Sequence, residues 1–268
     1  MPKPSSRLLV RIHQGLLLGA LSLPLTTVAA VVPLFMSEEL DEKSNLVPLS
    51  IQTNALLSYL EQALHFQFEI RRVPWKRALE SAQNGEGLIF GISKTQERQR
   101  KLTFSLPIYT EQSLLVTRCD ARFRFNSMQD LKGKTLGIVR GTSYGEEFDQ
   151  QKNILFKVED DTSNNPARFN KLSQGRMDGL LLYSFAPNLA KLETSLNQLY
   201  ASPQNKPLAS PAQLFCVQRK PISSVEIHFA IRPDRDQGLL QQINQVLERA
   251  KRNGDLARIY SSDSKQRK

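Results

Sequence analysis

An arginine at the start of a short helix is the feature of this 268-residue sequence that most directly suggests chemistry. Thr95 and Arg98 form a Thr-x-x-Arg turn within residues 91–109. Thr95 is a suitable N-cap for a helix over residues 96–101, and helix N-termini favour anions. The Arg98 guanidinium offers a planar set of donors that fits a carboxylate in bidentate geometry. The alternative, a surface turn of a basic protein, stays open at this point.

Further motifs follow one another along the same chain. They are PWKRAL at 74–79, NG at 84–85, FSLPIY at 104–109, DLKGKTLGI at 130–138, RGTSYG at 140–145, LSQGRMDG at 172–179, INQVL at 243–247 and NGDLARIY at 253–260. Each motif is weak by itself. Their order and spacing over residues 70–260 resembles the bacterial extracellular solute-binding proteins of family 3, the periplasmic amino-acid-binding components of ABC transporters.

The resemblance implies an α/β fold of the two-lobed, type II periplasmic-binding-protein kind. Its two α/β lobes are joined by two hinge strands, which we place at residues 113–118 and 227–232. Lobe 1 is then discontinuous, with residues 37–117 plus 226–268, and lobe 2 comprises residues 118–225. Strands that alternate with helices in the hydrophobic pattern independently favour an α/β sheet.

Hydrophobic periodicity predicts the elements that must position these residues. Helices are expected at 53–64, 75–83, 166–174 and 239–251, and glycine or Asn-Gly signals end the last three. Strands are expected at 66–70, 88–92, 113–117, 135–139, 179–183, 214–217 and 225–231. The first strand is expected at 46–51 or is degenerate. The proline-bearing stretch 197–212 is expected to be a surface excursion of lobe 2.

The resemblance assigns the ligand carboxylate to Arg98, with Ser93 and Thr95 as neighbouring contacts. In lobe 2, the turn that contains Thr142 and Ser143 resembles a helix N-terminus that grips the carboxylate from the other side. A glycine turn before a helix is chemically suited to that task. Ordinary N-capping by Thr142 and Ser143 is the alternative.

Two departures from the family pattern affect the expected ligand. Relatives that bind α-amino acids usually carry an acidic residue five positions after an aspartate of the family pattern in lobe 2. That aspartate corresponds to Asp178 in this sequence, and the residue five positions later is Tyr183, which is uncharged at pH 7. Tyr183 either stacks on a ligand or packs in the core. The second departure lies near the N-terminus of the predicted mature chain, where residues 37–54 lack the aromatic clamp that relatives usually carry. Gly87 also replaces the aspartate that usually follows the Asn-Gly pair of lobe 1.

Trp75 and Tyr109 are the remaining candidate ligand contacts. Trp75 lies beside Arg77 in sequence and is suited either to stack on a ligand with cation–π support or to pack in the core. Tyr109 either faces the cleft or anchors the FSLPIY turn. Asp178 is expected to pin local backbone and not to act as a catalytic acid.

Composition and charge argue against several classes of protein. The net charge is +10, but the basic residues are spread out and no nucleic-acid-binding motif interleaves them, so we expect no nucleic-acid partner. Two cysteines and three histidines without ligand spacing predict neither a metal nor a cofactor. Whether Cys119 and Cys216 form a disulfide stays open, although an oxidising compartment would permit it.

The N-terminus predicts export. Lys3, Arg7 and Arg11 precede an apolar stretch at 16–25, and the small residues at 28–30 suit cleavage after Ala30. An uncleaved anchor is the alternative, but prolines and threonines interrupt the apolar run and a membrane span needs about 20 apolar residues. We therefore expect a periplasmic protein whose signal peptide, residues 1–30, is removed.

Together these features predict a periplasmic binding protein, and not an enzyme. It would be a monomer that closes two lobes around a small, carboxylate-bearing, amino-acid-like solute and presents it to an ABC permease or a membrane sensor. One alternative is a diverged sensory or accessory protein without transport. Another is an enzyme resembling cyclohexadienyl dehydratase, which requires a cleft carboxylate as general acid or base. Glu97, Glu146 and Asp178 are the nearest candidates, and all three look structural.

Overall fold

The computed structural model describes residues 30–41, 43–161, 163–184, 188–201 and 213–261. The predicted signal peptide lies outside the described residues except for Ala30, so its cleavage stays a prediction.

The first half of the central sheet contains four long strands. These are β1 (Ala30–Ser37), β2 (Phe66–Val73), β3 (Leu88–Ser93) and, from near the C-terminus, β10 (Ser223–Ile231). They lie in the order β2-β1-β3-β10, and the short strand β4 (Thr103–Phe104) also pairs with β10. β1 runs parallel to both of its neighbours, whereas β10 is antiparallel to β3.

The second half of the sheet continues from β10. It comprises β5 (Tyr109–Arg118), β6 (Thr135–Val139), β7 (Lys157–Asp161), β8 (Gly179–Ser184) and β9 (Phe215–Val217). The order is β10-β5-β8-β6-β7, with β9 paired to β5. β5 and β10 are therefore the two strands through which the halves join. We call the halves lobe 1 and lobe 2; the exact residue limits of the lobes stay a prediction.

Eight helices of the described residues cover these sheets. They are α1 (Ile51–Leu64), α2 (Trp75–Gln83), α3 (Gln96–Gln99), α4 (Glu146–Gln151), α5 (Asn165–Ser173), α6 (Leu189–Tyr200), α7 (Leu239–Arg252) and α8 (Asp255–Ser261). Apolar faces of α1, α7 and α8 bury the core of lobe 1 against β1, β2 and β3. Side chains from α5 and α6 pack with β8 and β9 in lobe 2.

The predicted first strand at 46–51 is wrong. β1 is the first strand, residues 47–50 have no regular structure, and Ile51 begins α1. The apolar run that forms β1 directly follows the predicted signal peptide, and Pro33 interrupts it, so no strand was predicted there. β3 pairs only with Leu34 and Phe35 of β1. Pro33 therefore lies just beyond the residues of β1 that pair with β3, and its missing N–H is tolerated there.

Gly87 replaces the expected aspartate because this position has no room for a side chain. A Cβ atom on Gly87 would lie 2.6 Å from the carbonyl oxygen of Pro33. Replacing Gly87 with alanine is expected to lower the free energy of unfolding by about 1–3 kcal/mol, since the backbone of β1 must shift. Urea denaturation measures the change, with Glu86→Ala as the exposed control. Equal midpoints for both variants would contradict this explanation.

The predicted surface excursion at 197–212 is wrong at its start. Residues 197–200 complete α6. The Asn197 side-chain oxygen accepts hydrogen bonds from the backbone N–H groups of Leu214 (2.8 Å) and Phe215 (2.9 Å), which fixes the helix to β9. Residues 202–212 lie outside the described residues.

Cys119 and Cys216 form a disulfide, which settles the question that the sequence left open. The two Cα atoms are 5.0 Å apart, within the range that a disulfide requires. The bond joins the residue after β5 to the middle of β9. It therefore closes the chain around most of lobe 2.

Candidate functional site

Arg98 is buried between the two lobes, with 5% of its surface exposed. One terminal nitrogen, Nη1, donates to the carbonyl oxygen (2.7 Å) and the hydroxyl (2.8 Å) of Ser93 in lobe 1. The other, Nη2, donates to the carbonyl oxygen of Gly141 in lobe 2 at 3.0 Å. The guanidinium thus bridges the lobes, and the prediction of a simple surface turn is wrong.

The local structure around Arg98 follows the Thr-x-x-Arg prediction. Thr95 is the N-cap of α3, and its hydroxyl accepts a hydrogen bond from the Arg98 N–H at 3.2 Å. The helix is shorter than the predicted 96–101 and ends at Gln99. Burial lowers the pKa of the Arg98 guanidinium, while Tyr183, Asp149 and Glu97 act in the opposite direction. An arginine nevertheless remains protonated in a protein.

Trp75 packs in a core cluster and also contacts the other lobe. Its indole N–H donates to the carbonyl oxygen of Gly141 at 3.1 Å. The cation above its ring is Arg98, at 5.8 Å from the ring centre. Arg77, the sequence neighbour from which we expected cation–π support, is exposed, and that pairing is wrong. The packing and cleft roles of Trp75 are therefore combined in one side chain.

Thr142 and Ser143 do not cap a helix. The following helix, α4, begins at Glu146 with Gly145 as its N-cap, so the N-capping alternative is wrong. The Ser143 hydroxyl instead donates to the carboxylate of Asp149. Thr142 lies in the turn after β6 and donates its N–H to the carbonyl of Val139 at 3.0 Å.

Tyr183 stacks on an aromatic neighbour within lobe 2. Its ring lies 5.1 Å from that of Tyr144, with an angle of 9° between the planes, and its hydroxyl donates to the carbonyl oxygen of Ser143. Burial raises the pKa of the phenol far above its usual value, so it is neutral. The side chain is half-buried and still reaches the wall of the interlobe cavity.

Tyr109 lies beside an acidic residue, Glu111, which none of the sequence motifs indicated. Its hydroxyl is hydrogen-bonded to the side chain of Glu111, and its ring packs against Tyr260 of α8 at 4.7 Å. Burial raises the pKa of the Glu111 carboxyl to about 7, partly opposed by the Tyr109 hydrogen bond. Glu111 is a charged residue two positions before the buried part of β5, and this was the signal for it in the sequence.

A cavity of about 410 Å³ lies between the lobes. Six of the eight predicted ligand residues line it, namely Trp75, Ser93, Arg98, Tyr109, Thr142 and Tyr183. This volume suits a small organic solute. Thr95 and Ser143 line a second cavity of about 1020 Å³, which Ser93, Arg98 and Thr142 share, on the side of α3 and α4. The cavity of about 410 Å³ is called the interlobe cavity below.

Arg168 is a second buried arginine in the wall of the interlobe cavity. Only 2% of its surface is exposed, and it donates to the carbonyl oxygen of Leu181 at 2.6 Å and to the side chain of Asn165 at 2.9 Å. Its Nε atom has no partner among the described residues. The helical spacing that places Phe169 and Leu172 in the core also places Arg168 there. This spacing was the sequence signal for a buried arginine at position 168.

Asp178 has the structural role predicted for it. Its carboxylate accepts a hydrogen bond from the backbone N–H of Thr135 at 2.8 Å, which pins the start of β6. Glu97 and Glu146 are exposed. In the part of the chain that the structure describes, no helix is long and apolar enough to cross a membrane.

Two α/β halves that share two strands, with a buried cation in the cavity between them, define a two-lobed ligand-binding protein. The chain belongs to the bacterial extracellular solute-binding proteins, family 3, whose sequence profile matches residues 41–262. This finding confirms the resemblance seen in the motifs.

Curated relatives include binding proteins and an enzyme. ABC transporter arginine-binding protein 1 of Escherichia coli (strain K12) is 25% identical over 178 residues, which is 65% of this chain and 64% of that protein. The chain thus matches less than two thirds of that relative's length. Membrane-bound lytic murein transglycosylase F of Ectopseudomonas mendocina (strain ymp) is 26% identical over 63% of this chain but only 31% of its own length.

Solved structures confirm the type II periplasmic fold. A mutant of ArgBP from T. maritima is 23% identical, with a TM-score of 0.67 and coverage of 87% of this chain and 94% of that one. An ancestral arginine-binding protein bound to arginine is 20% identical, with a TM-score of 0.67 and coverage of 87% and 97%. The ancestral amino-acid-binding protein AncCDT-1, a precursor of cyclohexadienyl dehydratase, has a TM-score of 0.63 at 19% identity and coverage of 87% and 94%.

Proposed function

We propose that the protein is a monomeric periplasmic binding protein for a small, carboxylate-bearing, amino-acid-like solute. The solute is held in the interlobe cavity and presented to the permease of an ABC transporter. The single observation that carries this proposal is Arg98, a buried guanidinium that lines the cavity and reaches both lobes.

The present partners of Arg98 suggest how the carboxylate binds. Nη2 donates to the carbonyl of Gly141, an uncharged acceptor in lobe 2. A carboxylate is a stronger acceptor for a guanidinium than a carbonyl is. The ligand oxygen therefore replaces Gly141 as the acceptor, and lobe 2 then closes on the ligand instead of on Arg98. Such closure requires that the ligand bind the closed state better than the open state.

The comparisons support an amino acid as the class of solute. The relatives and solved structures include proteins named as arginine-binding, and one ancestral arginine-binding protein was solved with glutamine. The cavity also holds both a cation, Arg98, and an acid, Glu111, and an amino acid carries groups of both opposite charges.

A thermal-shift screen of the purified protein tests the proposal. L-Arginine, L-glutamine and small organic acids are added at up to 10 mM, and agmatine, which lacks the carboxylate of arginine, is the matched control. A ligand at about 100 times its dissociation constant stabilises the folded state by about 2.7 kcal/mol. We expect stabilisation by a carboxylate-bearing compound and none by agmatine. A folded sample that no carboxylate compound stabilises would refute the proposal.

An enzyme is the second candidate, because Glu111 supplies the cleft carboxylate that such an enzyme requires. A carboxyl with a pKa of about 7 is suited to general acid–base chemistry near neutral pH. Turnover of a cyclohexadienyl carboxylic acid, lost in Glu111→Gln, would favour the enzyme. Binding of an amino acid without turnover of either compound would favour the binding protein.

A further inference from the structure

Glu111 lies at the junction of the lobes, on one of the two shared strands. In β5 it pairs with Val225 of β10. Side chains of a strand alternate between its faces, so Tyr109, Glu111 and Ser113 share one face. Ser113 is directly opposite Tyr183 of β8, which makes Glu111 a diagonal neighbour of Tyr183 across the sheet. Glu111 is half-buried and lines the interlobe cavity.

Arg98 and Glu111 have opposite effects on the pKa of the Tyr183 phenol. Both interact electrostatically with the Tyr183 phenol, so the cavity holds a fixed positive and an ionisable negative group around one tyrosine. This arrangement matches a zwitterion, with its carboxylate on Arg98 and its cationic group on Glu111.

Among the described residues, no cation forms an ion pair with the Glu111 side chain, which is hydrogen-bonded to the neutral phenol of Tyr109. Glu111 also interacts electrostatically with the phenols of Tyr183 and Tyr260. The charged residues elsewhere in the cavity wall are Glu38, Glu39, Arg72, Arg98 and Arg168.

We propose that Glu111 is the receptor for a cationic group of the ligand, and that protons compete with the ligand for this carboxylate. This proposal rests on the proposed function, because the same cavity must first accept the carboxylate at Arg98. Glu111 then determines specificity, since it favours amino acids over simple organic acids of the same size.

The direction of the pH effect follows from the protonation state of Glu111 before the ligand binds. The pKa of Glu111 is raised to about 7 by burial, so the carboxyl is largely protonated at pH 6 and largely ionised at pH 8. The ligand cation binds only the ionised form. Linkage then predicts that affinity falls about tenfold between pH 8 and pH 6. The cationic groups of amino acids keep their charge over this range.

Isothermal titration calorimetry with the purified protein tests this inference. L-Arginine and L-glutamine are titrated into the wild type and into Glu111→Gln at pH 6, 7 and 8. Glu226→Gln is the matched control, because it removes an exposed acid of the neighbouring strand β10 that does not line the interlobe cavity. We expect Glu111→Gln to weaken binding about tenfold or more at pH 8 and to abolish the pH dependence. Glu226→Gln should retain both the affinity and the pH profile of the wild type.

The two probes also identify which cation Glu111 binds. L-Glutamine has only the α-ammonium group, so weaker binding of both probes assigns Glu111 to that group. Weaker binding of arginine alone assigns it to the guanidinium. Wild-type affinity and pH dependence of Glu111→Gln for every probe that binds would overturn the role of Glu111 and leave the proposed function standing. If the wild type bound no carboxylate compound, the proposed function would fail, and this inference with it.

Discussion

Replacing Arg98 with alanine is expected to weaken binding of the carboxylate ligand by about 100-fold or more. Removing one partner of a buried, charge-assisted pair costs about 2–5 kcal/mol, because the other charge is left without its partner in a site with little water. About 2.7 kcal/mol corresponds to a factor of 100 in the dissociation constant. The effect is large here because Arg98 is 5% exposed and water cannot easily replace it.

Trp75 provides the measurement for this prediction. It is the only tryptophan of the chain, and its indole N–H contacts lobe 2 through Gly141. Intrinsic fluorescence therefore reports both ligand binding and the relative position of the lobes. Titration of L-arginine or L-glutamine should change the emission of the wild type. For Arg98→Ala the same change should require about 100 times more ligand.

Two further variants separate the charge of Arg98 from its shape. Arg98→Lys keeps the charge but not the fork of donors that reaches Ser93 and Gly141 together, so its affinity should lie between those of the wild type and Arg98→Ala. Arg100→Ala removes an exposed arginine from the same segment and should bind normally. Equal affinity of Arg98→Ala and Arg100→Ala would contradict a ligand role for Arg98.

A loss of folding must be excluded for Arg98→Ala. The substitution leaves the buried Ser93 carbonyl without its donor from Arg98, and an unsatisfied buried group costs about 1–3 kcal/mol. Gly141 keeps the hydrogen bond from the Trp75 indole. Circular dichroism at the titration temperature shows whether the variant is folded.

The sequence predicted elements best where their ends carry strong local signals. α2 and β6 have the predicted bounds, since Asn84-Gly85 ends the helix and a lysine–glycine turn precedes the strand. Hydrophobic periodicity did not predict α4, because the sequence of this six-residue helix, EEFDQQ, contains one apolar residue. β1 was not predicted because its apolar run adjoins the export signal. Local patterns do not distinguish a strand from the end of such a signal.

Local spacing predicted the geometry of the candidate site only around Arg98, although Tyr109, Thr142 and Tyr183, which were also predicted as ligand residues, line the same cavity. A local motif fixes Thr95 and Arg98, so their geometry could be derived from spacing alone. Glu111 meets Tyr183 and Tyr260 through strand pairing and through the packing of α8, which are contacts between distant parts of the chain. The same limit explains why Arg77, the basic neighbour of Trp75 in the sequence, is not the cation above its ring. The true partner, Arg98, is brought there by the packing of α2 against β3.

Removal of the disulfide is expected to produce the largest loss of stability. Cys119 and Cys216 are 97 positions apart, and the entropy of closing a loop of about 100 residues corresponds to about 3–5 kcal/mol of stability. The cross-link joins β5 to β9 and so restricts the unfolded chain of most of lobe 2. Cys119→Ser/Cys216→Ser should therefore unfold at a clearly lower urea concentration than the oxidised wild type.

A reductant provides the matched control for this double variant. The chain contains no cysteines besides these two, so dithiothreitol should destabilise the wild type by about the same amount and leave the double variant unchanged. Arg98 lies on α3, and Glu111 lies near the opposite end of β5 from Cys119, so the folded double variant should still bind the ligand of the wild type. Identical urea midpoints for the oxidised wild type and the double variant would show that the bond does not stabilise lobe 2. Loss of binding in a folded double variant would instead show that the disulfide also holds β5, and with it Glu111, in the position that the ligand requires.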